Sequence, residues 1–327
     1  MVKRKDLRVL SGIQPSGTLH LGNYFGMMSR MINYQEENEL FCFIANYHAL
    51  TTNFSKEILS DNTFNAVCDF LALGLDPEKS TFWVQSDVPE VTELTWILAS
   101  NASVGLMGRA TSFKDKVSQG VKPNMGLYSY PILMAADILL FDSQIVPVGK
   151  DQKQHLEMTR DIAARFNNNF GDTLILPEAD IDEETQLVPG IDGQKMSKSY
   201  NNTIPIFDNE KKIRKQIMRI ITDATDIDQP KDKETPLFQI FCLFLNDKET
   251  NDLSDRYEGR GLRYGDIKQE LFERVMDYFS SFRKKREDLV SRPDLVRDIL
   301  KTGADKAQIV AIEVLDRVRA ATGIKYL

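Results

Sequence analysis

A chain of 327 residues exceeds the roughly 250–300 at which one hydrophobic core stops growing, so two domains, or one large α/β domain with a helical appendage, are expected. With 42% hydrophobic and 27% charged residues it has the composition of an ordinary soluble protein; no apolar run approaches the ~20 residues that span a bilayer, and the basic N-terminus lacks the apolar core of a signal peptide. A cytoplasmic protein with no membrane partner is expected. The net charge of −7 speaks against a nucleic-acid partner only on average: residues 195–327 carry 26 Lys plus Arg against 23 Asp plus Glu, whereas the first 194 carry 15 against 25. The basic clusters Lys211–Arg219 and Arg283–Arg286 permit RNA binding, although a solvated helix face explains such clusters as readily.

In chain order, Arg8–Ile13, Leu40–Asn46, Thr81–Gln85 and Ile145–Val148 read as strands, short, rich in β-branched and aromatic residues and bounded by turn residues. Helical patterns lie between them, among them Lys56–Leu73, with Ile58, Leu59, Phe64, Val67 and Leu71 mainly on one face. Strands alternating with helices predict βαβ units and a parallel, doubly wound sheet, whose ligands sit where strands end and helices begin. After about Pro205 the pattern is helical, over Asn209–Ile221, Gln269–Val290 and Ala304–Ala321, with Thr222–Glu234 a loop around Pro230. The last helix has a 3/4-spaced apolar stripe: Ala304, Ala307, Val310, Ala311, Val314, Leu315, Val318 and Ala321. The division expected is an α/β domain over 1–205 and a helical domain over 206–327, whose last helix can pack back on the first. Cys42, Cys68 and Cys242 are scattered and only His20, His48 and His155 are present, so neither a disulfide framework nor a zinc or multi-histidine centre is expected.

Three stretches carry chemistry. The first, Ser11-Gly12-Ile13-Gln14-Pro15-Ser16-Gly17-Thr18-Leu19-His20-Leu21-Gly22-Asn23, follows a strand and opens a helix near Thr18 or His20. Its glycines let the backbone approach a ligand, the helix N-terminus offers free N–H groups to phosphate, His20 can donate to a phosphate oxygen, and Gly22 leaves room for an adenine. It does not match the P-loop pattern. The second, Gly193-Gln194-Lys195-Met196-Ser197-Lys198-Ser199, places two lysines and small hydroxyls in a loop that can wrap a triphosphate, lysine being a mobile point charge. The third runs from Tyr130-Pro131 through Met134 and Asp137 to Leu140, a helix with one carboxylate in apolar surroundings. Tyr130, Met134 and Asp137 share a face, and Pro131 is expected in the first turn. Asp137 serves either as a structural hydrogen-bond or ion-pair partner or as acceptor for a polar hydrogen on an aromatic substrate.

The first two motifs together resemble the paired ATP-binding elements of class I aminoacyl-tRNA synthetases. The Tyr130–Leu140 run, followed by Ile145-Val146-Pro147-Val148-Gly149-Lys150-Asp151-Gln152, resembles bacterial tryptophanyl-tRNA synthetases. That likeness extends through Tyr257-Glu258-Gly259 and covers nearly the whole chain. It implies a Rossmann-like catalytic domain and a helical domain that binds the tRNA anticodon. It implies activation of L-tryptophan by ATP with Mg²⁺, transfer to the 2′-hydroxyl of tRNA(Trp), no tightly bound organic cofactor, no metal-binding side chains, and a homodimer. In the family the residue matching Asp137 accepts the indole N–H. Those matching Tyr130, Met134, Val146, Val148, Gln152, Gly12 and His48 line the tryptophan pocket. Those matching Gln14, Pro15, Ser16, Gly22, Asn23, Gly149, Lys150, Asp151, Val188, Lys195, Met196, Ser197, Lys198 and Ser199 bind ATP. Catalysis then comes from positioning and charge, with Lys195 and Lys198 on the departing pyrophosphate and His20 with Asn23 on the α-phosphate or triphosphate end. Lys116, in a polar segment read as a mobile loop over Ser112–Lys122, is either a further cation for the phosphates or an ordinary surface lysine. Lys150 stands where an acidic residue is common, Leu10 replaces a frequent aromatic, and Asn46-Tyr47 precede His48 where Asp-Gln is common. The alternatives are a tyrosyl-tRNA synthetase, a nucleotidyltransferase with an H-x-G-N turn, and a non-enzymatic RNA-binding paralogue.

Overall fold

The computed structural model describes residues 5–51, 55–118, 120–149, 152–181 and 188–326. The chain forms two compact units, one of residues 1–17, 31–183 and 289–327, the other of residues 18–30 and 184–288. The units therefore do not follow a single cut at residue 205.

The first unit is built on five parallel strands, β1 (Arg8–Ile13), β2 (Glu39–Ile44), β3 (Ser80–Val84), β4 (Ile145–Val148) and β5 (Glu178–Ile181), in the order β3-β2-β1-β4-β5. The chain winds outward from β1 through β2 to β3, then crosses to the other side of β1 for β4 and β5. The crevice at the carboxyl ends of β1 and β4 is thus the topological switch point, where such sheets bind ligands. β1 and β4 have the predicted bounds, β3 is shifted by one residue, and β2 starts one residue earlier and ends two earlier than predicted. β5 was not predicted. Glu-Ala-Asp-Ile lacks strand propensity, and as an edge strand with no fully buried residue it shows no apolar pattern.

The helix Lys56–Ala72 is buried all round from Ala66 onward, while its first turns, Ile58 included, are exposed. The final helix, Pro293–Thr322, starts eleven residues before the predicted one and ends at Gly323 in a left-handed cap. Its stripe of Ala304, Ala307, Ala311, Val314, Leu315 and Val318 joins the core cluster of this unit, with Phe41, Trp83 and Ile138. A Cβ on Gly303 would lie 1.8 Å from the Phe82 carbonyl oxygen, so only glycine lets this helix approach the β3 backbone.

The second unit is helical: Glu210–Met218, Pro236–Cys242, Asp247–Glu258, Tyr264–Tyr278 and the start of Ser280–Ser291. The single helix predicted over Gln269–Val290 is two, because the chain leaves helical geometry at the buried Phe279. Tyr24 and Phe25 pack edge-on against Phe279, and Phe25 against Phe244, so the helix of the first motif belongs to this body. The predicted loop over 222–234 contains no helix or strand.

Gly303→Ala sets two effects against each other. Alanine gains about 1 kcal/mol of helix propensity, but forcing a helix off a strand backbone costs about 1–3 kcal/mol or more. The close approach should win, and chemical denaturation should show a net loss of stability; an unchanged or higher midpoint would contradict this packing.

Candidate active site

In the first unit, Gly12 lies near the end of β1, where a Cβ would sit 2.5 Å from the Phe43 ring, itself stacked on Trp83 with centroids 5.4 Å apart. The chain then turns through Gln14, Pro15 and Ser16, the Ser16 N–H donating to the Gln14 carbonyl at 2.8 Å. At the matching end of β4, Val146 is buried, Val148 half-buried and Gly149 exposed, and the Gln152 N–H returns to the Gly149 carbonyl at 2.9 Å. Lys150 and Asp151 lie outside the described residues.

The helix carrying Asp137 runs Met125–Leu139, capped by the Asn124 side chain, which accepts the Leu127 N–H at 2.8 Å. Pro131 is therefore in the helix interior, not the first turn as expected: the helix starts six residues earlier at a strong cap. The missing N–H there costs about 3 kcal/mol, which burial of Ile132, Ala135, Ala136, Ile138 and Leu139 offsets.

Asp137 is 3% exposed. Its Oδ2 is 2.7 Å from His48 Nε2, and its Oδ1 accepts the Gln85 amide at 2.6 Å. The Gln85 amide cannot be turned the other way, because its Oε1 accepts the Tyr47 N–H at 3.0 Å. Burial holds the Asp137 carboxyl above the ordinary carboxylate range, against the opposing pull of His48 and Gln85. Each oxygen has one protein partner and retains lone-pair capacity for another donor. Gln85 is a member of this set that the sequence reading missed; its signal was a polar residue at the carboxyl end of a buried strand.

Tyr130 is half-buried, its hydroxyl 2.5 Å from His155 Nε2 and its ring centroid 6.3 Å from that of His48. Met134 is half-buried one turn further on. Lys116 lies in the helix Thr111–Ser118, not in a loop as predicted; the helix is short and its charges hid its periodicity. Its ammonium sits 5.2 Å from the Tyr130 ring centroid, and burial lowers its pKa.

The second unit holds the rest of the first motif and the lysine loop. His20 is the N-cap of the turn Leu21–Asn23; the Asn23 Oδ1 accepts the His20 N–H at 3.2 Å. The chain continues as a π-helix over Tyr24–Met28, a rare winding frequent at functional sites. The segment 204–206 clamps this turn, the Leu21 N–H donating to the Ile204 carbonyl at 3.0 Å and the Ile206 N–H to the Leu19 carbonyl at 3.1 Å.

The lysine loop is seated on the same turn. Met196 is 4% exposed and its Sδ accepts the Gly22 N–H at 3.2 Å. A Cβ on Gly22 would lie 3.0 Å from His20 Nδ1 and 3.1 Å from Met196 Cβ, so any larger residue would crowd this seat. The Met196 N–H donates to the carbonyl of the buried Val188 at 2.9 Å. Lys195, Lys198 and Ser199 are exposed, while Ser197 caps the short turn Lys198–Tyr200. Asn202, 1% exposed, holds the loop from inside: its amide donates to Asp192 at 2.8 Å and to the Lys195 carbonyl at 3.0 Å, and its Oδ1 accepts the Ser197 N–H at 2.8 Å. Nothing in the sequence distinguishes this asparagine from a loop residue.

Burial, with repulsion from Lys198 second, pulls His20 down to about 4, so it is neutral near pH 7. Among the described residues no group of three or more His, Cys, Asp or Glu could hold a metal ion. No helix among them is long and apolar enough to cross a membrane.

Residues 2–280 match the family model described as tRNA synthetases class I (W and Y). The chain is 50% identical to the tryptophan–tRNA ligase of Fusobacterium nucleatum, over 97% of this chain and 98% of that one. It is 52% identical to that of Rhodopirellula baltica, over 98% and 100%. The crystal structure of tryptophanyl-tRNA synthetase from Campylobacter jejuni complexed with ADP and tryptophan superposes with a TM-score of 0.94 at 50% identity, covering 97% of this chain and 100% of that one.

The His20 shift has a sign that can be checked. An unfolded imidazole takes up its proton near 6.5 and the folded one only near 4. Its contribution is therefore intact above pH 6.5 and is lost as pH falls through that window to 4. Unfolding free energies measured across the window should fall more steeply for the unmodified chain than for His20→Asn; parallel curves would contradict the shift.

Proposed function

We infer the function from one premise: the chain belongs to the class I tRNA synthetases for tryptophan and tyrosine, and it activates L-tryptophan with ATP and transfers it to tRNA(Trp). The observation that carries the reaction is the seat of Met196 on Gly22, which puts the lysine loop and the His20 turn in one body. The tryptophan carboxylate attacks the α-phosphate in line, giving tryptophanyl-adenylate and pyrophosphate; the tRNA 2′-hydroxyl then takes the acyl group and releases AMP. Neither step needs an enzyme nucleophile.

The residue roles are our proposal. Lys195 and Lys198, exposed on an anchored loop, neutralise charge on the departing pyrophosphate. Neutral His20 donates one N–H to a phosphate oxygen, with Asn23 beside it. Gln14, Pro15, Ser16, Gly22, Gly149, Val188, Met196, Ser197 and Ser199 contact the nucleotide, as do Lys150 and Asp151. Lys116 is a further cation for the phosphates, and its lowered pKa and its place over Tyr130 support a partly desolvated role. Mg²⁺ enters with ATP as part of the substrate. Asp137 accepts the indole N–H; Tyr130, Met134, Val146, Val148, Gln152, Gly12 and His48 shape the rest of the pocket. Residues 1–205 supply the ATP and tryptophan sites, and 206–327 are proposed to bind the anticodon arm. The protein is proposed to work in the cytoplasm, and as a homodimer, the latter supported by the exposed Trp96, Val104 and Met125 of the first unit.

Lys198→Ala should slow tryptophan-dependent exchange of labelled pyrophosphate into ATP by a factor of roughly 10²–10³, the cost of losing one charge-stabilising group. Tryptophan binding, read by calorimetry, should persist. Normal exchange in the variant would remove Lys198 from the reaction, and no exchange in the unmodified chain would remove the function.

A further inference from the structure

A buried cation of the second unit takes no part in the chemistry above. Lys231 is 6% exposed. Its ammonium donates to the carbonyl of Thr225 and, at 2.7 Å, to that of Asp226, and it lies 5.0 Å from the Tyr264 ring centroid. Two carbonyls and a π face are neutral partners, so the charge is held with no carboxylate among them. Asp223 joins from the side: its Oδ1 accepts the Tyr264 hydroxyl at 2.9 Å and the Thr225 N–H at 3.0 Å. The Lys231 N–H donates to the Tyr257 carbonyl at 2.6 Å, and the Gly261 N–H to the Ile227 carbonyl at 2.7 Å. The ammonium therefore gathers a segment, residues 222–235, that has no helix or strand of its own.

Both ends of that segment abut the base of the lysine loop. At one end the Ile221 N–H donates to the carbonyl of the buried Ile191 at 2.8 Å. At the other, Pro236 opens the helix Pro236–Cys242. Gly193, where the loop turns in left-handed geometry at φ +80°, stands between them. A Cβ there would lie 3.8 Å from Pro236 Cγ and 3.9 Å from Ile221 Cδ1. A segment without a ladder of its own must find its hydrogen bonds elsewhere, and Lys231 supplies two of them.

We propose that Lys231 is a positioning residue for the lysine loop. It fixes residues 222–235, whose ends wall the turn at Gly193 and so set where Lys195 and Lys198 stand. The proposal rests on the ligase reading and on the role of Lys198 within it. A methionine of similar reach would fill the space and leave both carbonyls without their donor. The effect belongs to the ATP step, because this segment and the loop lie in the second unit, whereas Asp137 and its partners lie in the first.

The test is Lys231→Met in pyrophosphate exchange, with rates expressed per active site titrated by the burst of tryptophan-dependent ATP consumption. kcat should fall about 10- to 100-fold, the scale of a small displacement imposed from a distance. Tryptophan affinity by calorimetry should be unchanged. Tyr264→Leu, which removes the ring and leaves the ammonium, should give a smaller loss of the same kind, and it carries the test in both backgrounds if the methionine variant does not fold. The decisive readout is the same substitution combined with Lys198→Ala. If Lys231 acts through the loop, its loss should cost about threefold or less once Lys198 is gone, because the two changes remove one interaction. A lysine that only stabilised the fold would cost the same factor in both backgrounds, and that result would overturn the proposal. Full exchange per active site in Lys231→Met would overturn it too. Normal exchange in Lys198→Ala alone would remove the role of the loop and this proposal with it, whereas absent exchange in the unmodified chain would overturn the ligase reading beneath both.

Discussion

The lysine loop depends on one contact, the burial of Met196 against Gly22. A lysine can follow shifting charge because its stem is flexible, and for the same reason it loses much entropy when ordered. A loop that presents two lysines to solvent needs an anchor that is not itself charged. Met196 supplies it: an unbranched side chain, 4% exposed, reaches the Gly22 backbone N–H, where a side chain would crowd it. Asn202 completes the anchor from the other side by hydrogen-bonding the backbone on both sides of Met196. The cations are exposed on flexible stems, while the loop that carries them is held by buried contacts. The same packing buries His20 and, with Lys198 beside it, keeps it neutral, so that no further fixed positive charge is added to the loop.

The other unit solves the opposite electrostatic problem. It keeps a carboxylate in an apolar core, where an unpaired charge would be costly. His48 and Gln85, from the ends of two neighbouring strands, each take one oxygen of Asp137, and Gln85 is locked by the Tyr47 backbone. Such a network rejects a ligand that fails to supply its missing donor more strongly than an apolar pocket rejects a misfit of similar size. On the proposed roles, the identity of the amino acid is a question about hydrogen-bond capacity, and the rate of activation a question about charge on a loop.

What the sequence made legible follows the same division. The His20 and lysine-loop motifs were readable because each lies in consecutive residues, and β1 and β4 because short β-branched runs between turns leave few alternatives. β5, with two carboxylates in four residues, has no local signal; its pairing with β4 defines it. Pro131 suggested a helix start that the Asn124 cap overrides. The apolar stripe of Pro293–Thr322 showed that the helix packs on something, and only Gly303 against Phe82 shows on what. Asp137 stood out as a carboxylate in an apolar run. Gln85, whose one signal was its place at the end of a buried strand, and Asn202, which had none, were missed because a polar residue near a turn is ordinary until its partners are known.

The most direct test of the claim that Asp137 selects the amino acid is to compare the unmodified chain with Asp137→Asn in pyrophosphate exchange driven by tryptophan, tyrosine or phenylalanine. The expected result is strict dependence on tryptophan in the first, and in the variant a loss of discrimination larger than the loss of turnover. If the variant excluded tyrosine and phenylalanine as strictly as the unmodified chain, Asp137 would be a structural partner of His48 and Gln85 and nothing more.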